Sequence, residues 1–160
     1  MANLYIDLDG VILDSEERVL HLKEKLNNLS WNEFLDEVDW FRLLSESKEI
    51  NNAVEILKIL ENSYIKYSVL TKIHTLLEME AKVKNIRERG LEAPIIFVPP
   101  HIKKSEIIIP KRGDELIDDS IKNITHWNGD GGLGILFDQY DNKETSYQKV
   151  RSLEFLLKRR

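Results

Sequence analysis

The 160-residue sequence predicts a single α/β domain built on a mainly parallel β-sheet. Short runs of apolar, β-prone residues alternate along the chain with longer segments in which apolar residues recur every three or four positions. Strands that alternate with helices in this way pair in parallel, because each helix returns the chain to the same edge of the sheet. No internal repeat or long linker interrupts the alternation, so one domain is expected over residues 1–160.

Composition restricts the classes of function. The 23 Lys and Arg against 28 Asp and Glu give a net charge of −5, which argues against general binding to nucleic acid or anionic membranes. The longest apolar run, residues 95–98, is far shorter than the roughly 20 residues that span a bilayer, so no membrane partner and a cytoplasmic location are expected. Without cysteine, any chemistry must use carboxylates, hydroxyls and lysines.

The first half of the chain predicts one strand followed by three helices. The strand covers residues 4–11, where apolar residues lead into Asp7 and Asp9. Apolar residues at helical spacing then form three sets: Val19, Leu22, Leu26 and Leu29; Phe34, Val38 and Phe41; Ile50, Ala53, Val54, Leu57 and Leu60. Ser30 and Glu33 match the capping-box pattern, which places the start of the second helix between them.

The second half predicts further alternation. A strand over residues 64–70 ends at Thr71, and a helix over residues 75–89 is stopped by Gly90. The inward face of that helix is predicted to carry Leu76, Met79, Val83 and Ile86. Further strands are predicted at residues 95–98, 106–109, 115–119 and 134–137. A final helix is predicted to be capped at Thr145 and to carry Val150, Leu153 and Leu157.

Polar residues follow several of the predicted strands at their carboxyl ends: Asp7, Asp9, Thr71, Asp118 and Asp119. Ligands of open parallel sheets bind at this edge. Because Asp7 and Asp9 are two residues apart, their side chains point to the same face while the backbone stays extended. Two close carboxylates repel unless a cation joins them, and Mg²⁺ prefers oxygen ligands. Asp118 or Asp119 would complete a magnesium site.

Other interpretations of these residues are open at this stage. Asp7 and Asp9 alone are equally compatible with a turn that has no chemistry. Four aromatic residues lie in or near the predicted helices after the first strand, and they fit a hydrophobic core as well as a pocket: Trp31, Phe34, Trp40 and Phe41.

The motifs resemble those of the haloacid dehalogenase-like (HAD) phosphohydrolases. Their first motif, an apolar strand followed by DxDG[TV], corresponds to YIDLDGV, and their second, a strand ending in Ser or Thr, to YSVLT. A lysine is the third motif, and an acidic pair after an apolar strand, here ELIDD, is the fourth. The segments ELIDDSIKNITHW, GGLGILF and WFRLL are similar to the 5'(3')-deoxyribonucleotidase branch. The resemblance covers essentially the whole chain.

The resemblance implies a role for each matching residue. Asp7 would be the nucleophile, and Asp9 the general acid that protonates the leaving oxygen and later deprotonates water. Thr71 and a lysine would hold phosphate oxygens. Lys104 fits better than the adjacent Lys103, because the branch usually has a lysine followed by Ser or Thr.

The resemblance also implies the cofactor Mg²⁺, bound by Asp7, by Asp9 through its carbonyl, and by the pair Asp118 and Asp119, either of which could be the ligand. One departure stands beside these matches. The family often has a small or hydroxyl residue after the second-motif Thr, where this chain has Lys72.

The implied fold is a Rossmann-like HAD core, residues 1–14 and 63–160, with a small helical cap at about residues 15–62. The last helix of this segment belongs either to the cap or to the core.

The implied function is a magnesium-dependent nucleotide monophosphatase that forms an aspartyl-phosphate intermediate, with Trp40 and Phe41 of the cap stacking on the base. The alternatives are a phosphatase for another small phosphoester or a nucleic-acid 3'-phosphate end, and a non-catalytic binding or regulatory protein. No stable nucleic-acid partner is expected, and both a monomer and a homodimer fit the sequence.

Overall fold

Six parallel strands form one sheet in a computed structural model of the chain, which describes residues 1–159. The strands are β1 (Leu4–Ile6), β2 (Ser68–Lys72), β3 (Ile95–Val98), β4 (Glu115–Asp118), β5 (Leu133–Phe137) and β6 (Lys149–Val150). Their order across the sheet is β3-β2-β1-β4-β5-β6, and every pairing is parallel. The α/β class and the parallel sheet predicted from the sequence are confirmed.

The pairing register brings the predicted polar residues to one edge. β1 lies between β2 and β4, with Ile6 opposite Val69 on one side and Ile117 on the other. The backbone N–H of Asp7 continues this ladder and donates to the carbonyl of Ile117 at 2.9 Å. The carboxyl ends of the three central strands therefore open onto the same place.

Seven α-helices and one 3-10 helix complete the described part of the chain. They are α1 (Ser15–Lys25), α2 (Trp31–Glu37), α3 (Trp40–Glu46), α4 (Ala53–Glu61), α5 (Leu76–Glu88), α6 (Lys104–Ile107), α7 (Ile121–Gly129) and the 3-10 helix Leu153–Arg159. α4 packs against the 3-10 helix, and both contribute to the main hydrophobic cluster, which also contains Ile6 of β1. No helix among residues 1–159 is long and apolar enough to cross a membrane.

The helical segment after β1 contains four helices where the sequence predicts three. The capping box at the start of α2 is present: the Ser30 hydroxyl accepts from the N–H of Glu33 at 3.2 Å, and the Glu33 carboxylate accepts from the N–H of Ser30 at 2.8 Å. The predicted second helix breaks at Val38, whose backbone is extended, and Asp39 then caps α3 by accepting from the N–H of Arg42.

Two predicted elements are wrong. The strand predicted at residues 106–109 is absent. Lys104–Ile107 form α6 instead, because the Glu106 carboxylate accepts a hydrogen bond from the N–H of Lys103 and so satisfies the start of a helical turn. The predicted C-terminal helix is instead β6 followed by the 3-10 helix. β6 pairs with β5, with Val150 opposite Phe137, so this part of the chain extends the sheet.

The inward face of α5 also differs from the prediction. Leu76 is 71% exposed and Val83 is 38% exposed, whereas Glu78 and Lys82 are buried with Ala81 and Ile86. A charged residue is buried when a partner of opposite charge compensates it. α5 therefore turns a charged stripe inward.

Candidate active site

Three carboxylates meet at the carboxyl edge of the sheet. One oxygen each of Asp7, Asp118 and Asp119 lies within 4.8 Å of the others. The Asp118 side chain is fixed by the backbone N–H of Ser120 at 2.9 Å and the amide of Asn123 at 3.1 Å. Asn123 lies one turn into α7, so the segment after β4 holds the carboxylate in place.

Lys104 is the buried cation of this cluster. Its Nζ lies 2.8 Å from Asp7 Oδ1 and 2.6 Å from Asp118 Oδ2. Burial alone would lower the pKa of Lys104, but the two carboxylates raise it above its usual value. Lys103 is exposed, so the structure brings Lys104 and not Lys103 into the cluster.

The cluster carries more negative than positive charge. Burial raises the pKa of Asp7, and the nearby Asp118 raises it further. Burial and then repulsion from Asp118 raise the pKa of Asp119 to about 7. Three carboxylates against one lysine leave the cluster short of positive charge, and hard oxygen donors are the ligands Mg²⁺ prefers. The donor set therefore fits a magnesium ion.

The loop after β1 approaches Asp119 so closely that only glycine fits. Gly10 has a φ of +81°, and a Cβ placed on it would lie 2.1 Å from Asp119 Oδ2. A side chain at this position would displace the carboxylate. The glycine of the DxDG pattern thus sets the geometry of the acidic cluster.

A second buried lysine, Lys82 of α5, forms a network beside the first. Its Nζ lies 2.7 Å from Asp9 Oδ2, 3.1 Å from Thr71 Oγ1 and 3.3 Å from Glu78 Oε2. The carbonyl of Lys72 accepts from the same group at 2.7 Å. The sequence does not predict a role for Lys82, because Glu78 and Lys82 are four residues apart on a helix, a pattern typical of exposed ion pairs.

Asp9 belongs to this second network. Its Oδ1 accepts from the Ser15 hydroxyl at 2.6 Å, and its Oδ2 accepts from Lys82. Burial alone would raise the pKa of Asp9, but the charge of Lys82 and these hydrogen bonds bring it below its usual value. The Asp9 carboxylate is not part of the three-carboxylate cluster.

A cavity of about 700 Å³ lies over these groups. Two groups of residues line it. The first group lies on or beside the sheet: Asp7, Asp9, Lys82, Lys104 and Asp119. The second group lies on α1 to α3: Glu16, Val19, Leu20, Trp31, Leu35 and Trp40. A second cavity of about 580 Å³ shares Trp31, Leu35, Lys72 and His74 with the first.

The aromatic side chains differ in their access to this space. Trp31 is 49% exposed and lines both cavities. Trp40 lines the first cavity but is 5% exposed, and its indole N–H donates to the carbonyl of Leu35 at 3.2 Å. Phe41 is 40% exposed and is not among the residues that line either cavity.

Comparisons with known proteins give structural matches only. No protein-family model matches the sequence, and no curated protein matches it. YfnB of Bacillus subtilis, assigned as a HAD hydrolase and bound to magnesium, is 15% identical with a TM-score of 0.69, over 98% of this chain and 97% of that one. A HAD hydrolase of family IA, variant 3, from Entamoeba histolytica is 13% identical with a TM-score of 0.64, over 97% and 95% of the two chains.

A third structural match is the D,D-heptose 1,7-bisphosphate phosphatase of Burkholderia thailandensis, which is 13% identical with a TM-score of 0.58, over 98% of this chain and 99% of that one. These similarities extend over nearly the full length of each chain, and the six-stranded parallel sheet matches the Rossmann-like core of these proteins. The chain therefore has the fold of the HAD hydrolases.

Proposed function

We propose that the protein is a magnesium-dependent phosphomonoesterase and that its substrate is a nucleoside monophosphate. The observation that carries the first part is the contact of Asp7 with Lys104 beside Asp118 and Asp119. A nucleophilic carboxylate, a cation and a metal-binding acidic pair then lie at one point, below a cavity that opens to solvent. The Burkholderia neighbour shows that this fold supports phosphatase activity.

The metal would be held by Asp7, by one or both of Asp118 and Asp119, and by the carbonyl of Asp9. When bound, Mg²⁺ offsets the charge of the phosphate and of the carboxylates around it. Burial and then repulsion from Asp118 raise the pKa of both Asp7 and Asp119, and a bound cation would offset that repulsion.

In the first step, a carboxylate oxygen of Asp7 forms a bond to phosphorus while the bond to the leaving oxygen breaks, and Asp9 in its protonated form donates a proton to that oxygen. Lys104 and the Thr71 hydroxyl hold the phosphate oxygens and stabilise the charge of the transition state. In the second step, water attacks the phosphorus of the aspartyl phosphate and passes a proton to Asp9, the bond between Asp7 and phosphorus breaks, and inorganic phosphate leaves.

The contacts of Asp9 match the second step more directly than the first. Paired with Lys82, the Asp9 carboxylate is ionised and ready to accept a proton. To protonate the leaving oxygen in the first step, Asp9 must first take up a proton, which its lowered pKa disfavours.

We assign residues 15–62 as a cap over the site, with α4 as its link to the core. α1 to α3 supply Glu16, Leu20, Trp31 and Trp40 to the cavity wall. α4 packs instead against the 3-10 helix, away from the cavity lining. Since the core provides contacts to phosphate and metal, discrimination between substrates depends on these cap residues.

We expect the cap aromatic residues to favour a nucleobase. Of the two rings predicted from the sequence, Trp40 lines the cavity and Phe41 does not, while Trp31 offers the more open face. A ring that stacks on a base contributes about 1–3 kcal/mol, so Trp31→Ala should lower nucleotide kcat/KM by roughly ten- to hundredfold. An aryl phosphate should lose much less, because the phosphate site is intact.

The test is a panel of 5'- and 3'-nucleoside monophosphates and para-nitrophenyl phosphate, with and without MgCl₂, on the wild type, Trp31→Ala and Phe41→Ala. Phe41→Ala is the matched control, as an exposed ring of similar size away from the cavity. If Trp31→Ala lowered kcat/KM equally for nucleotides and for the aryl ester, the ring would contribute to the structure and not to recognition of the base. A wild type that hydrolyses no phosphomonoester would exclude catalysis and favour the binding protein.

Magnesium binding should depend on pH near neutrality. The pKa of Asp119, raised to about 7, means that the free site takes up a proton below that pH, and Mg²⁺ must displace it. The Kd for Mg²⁺ should therefore rise by up to about tenfold for each pH unit below 7. The pKa of Asp119 is higher in the folded protein than in the unfolded chain, so the free energy of unfolding falls as the pH rises from the unfolded pKa towards 7. Bound Mg²⁺ should reverse this loss of stability above pH 7.

Thermal unfolding at pH 8 and pH 5.5, with and without MgCl₂, measures this effect. We expect a large increase in Tm with Mg²⁺ at pH 8 and a small one at pH 5.5. In Asp119→Ala the increase at pH 8 should be smaller, because only Asp7 and Asp118 of the cluster remain. CaCl₂ and NaCl at equal ionic strength separate site binding from screening. A Tm increase that is the same at both pH values would contradict the assignment of Asp119 to the metal site.

A further inference from the structure

Five lysines line the first cavity: Lys72, Lys82, Lys104, Lys122 and Lys143. Three of them have partners, since Lys82 and Lys104 bind the buried carboxylates and the Nζ of Lys143 donates to the carbonyl of Asp119. Among residues 1–159, the ammonium groups of Lys72 and Lys122 take part in no ion pair and no hydrogen bond. The described part of the cavity wall thus carries two ammonium groups that no carboxylate contacts directly.

Lys72 lies at the junction of the two cavities. It is the last residue of β2, directly after Thr71, and it lines both cavities, as Trp31 does. Its side chain is half-buried, and burial, Lys104 and Lys122 lower its pKa more than Asp118 and Asp7 raise it. Neighbouring cations in a partly buried wall repel one another, and an anion bound between them removes that cost.

The scissile phosphate does not account for both of these lysines. Lys104, Thr71 and the acidic cluster already surround the place where that phosphate would react. Lys122, in the first turn of α7, is exposed and lines the first cavity. It is near enough to Lys72 to affect that residue's pKa, so the two lysines form a second positive area in the cavity wall.

We propose that Lys72 and Lys122 form a subsite for a second anionic group, so that the substrate is a phosphomonoester that carries a further phosphate or carboxylate. The inference rests on the proposed function and specifies its substrate class. With Trp31 on the same wall, a nucleoside bisphosphate satisfies both features: the ring contacts the base, and the second phosphate lies on the lysines. Lys72 also stands where the sequence motif that it resembles often has a small or hydroxyl residue.

The experiment compares deoxyadenosine 5'-monophosphate with deoxyadenosine 3',5'-bisphosphate, which differ only in the second phosphate. A hydrogen bond to a charged group contributes about 1.5–3 kcal/mol, so wild-type kcat/KM should be about ten- to hundredfold higher for the bisphosphate. Lys72→Met and Lys122→Met should reduce this preference and leave the monophosphate nearly unchanged. Lys158→Met, which removes an exposed lysine outside both cavities, is the matched control for net charge.

Two results would overturn the proposal: equal kcat/KM for the two nucleotides in the wild type, or an equal loss on both in Lys72→Met. The second would place Lys72 on the scissile phosphate. Calorimetric binding of both nucleotides to the Asp7→Asn protein tests the subsite independently of turnover. The subsite is supported if the bisphosphate binds more tightly than the monophosphate to Asp7→Asn and this difference disappears in Asp7→Asn/Lys72→Met. That result would hold even if the wild type hydrolysed neither nucleotide. Absence of hydrolysis would exclude the proposed function but not the subsite. Equal binding excludes the subsite.

Discussion

Asp7→Asn should abolish phosphatase turnover while the protein stays folded. The amide keeps the shape of the side chain but has no charged oxygen to attack phosphorus, and loss of a catalytic nucleophile can cost on the order of 10⁶-fold in kcat. Stability should change little, because Lys104 keeps its 2.6 Å contact with Asp118 and the repulsion between Asp7 and Asp118 disappears. The measurement is single-turnover phosphate release together with thermal unfolding.

Asp9→Asn gives the comparison for this experiment. Loss of general acid–base catalysis should lower kcat by about 10²–10⁴-fold, less than loss of the nucleophile. The variant also removes the charge that Lys82 contacts at 2.7 Å, so its Tm should fall more than that of Asp7→Asn. Hydrolysis at the wild-type rate by Asp7→Asn would disprove the covalent mechanism, whatever the result for Asp9.

The parts of the site that the sequence predicts are those attached to strand ends. Asp7, Thr71 and Asp118 each follow an apolar run, and parallel pairing alone brings such positions to one edge. Asp7 and Asp9 alone would also fit a turn without chemistry, but the four motifs in their order along the chain favour an active site. The preference for Lys104 over Lys103 depends on one following serine, and the burial of Lys104 agrees with it.

The parts that the sequence does not predict lie on helices whose environment overrides their pattern. The apolar spacing of α5 places Leu76 and Val83 inward, yet the helix buries Glu78 and Lys82 against Asp9. The spacing of apolar residues predicts which face of a helix is hydrophobic, but it does not predict the charge of the surface against which the helix packs. The pattern at residues 106–109 predicts a strand and not the end of α6 for a related reason, since a helix of four residues is too short to show a helical period.

Lys104→Met should be the most damaging of the lysine substitutions, with loss of both activity and stability. Losing one preorganised contact to the reacting phosphoryl group costs about 10²–10³-fold in kcat. The variant also leaves the buried carboxylates Asp7 and Asp118 without their cation, and breaking such a buried pair costs about 3–5 kcal/mol. Lys103→Met removes the same charge from an exposed neighbour and should behave like the wild type.

Magnesium and pH separate the two roles of Lys104. If the instability of Lys104→Met comes from unpaired carboxylates, MgCl₂ should restore part of the lost Tm, because the ion supplies positive charge to the same oxygens. Lowering the pH from 8 to 5.5 should also reduce the difference in Tm from the wild type, because burial already raises the pKa of Asp7 and protonation removes its charge. Neither condition should restore kcat, since a proton or a metal on the carboxylates cannot replace an ammonium group on the phosphate. A variant whose Tm and kcat recover together would show that Lys104 acts only on folding, and equal effects of Lys103→Met and Lys104→Met would exclude Lys104 from the phosphate site.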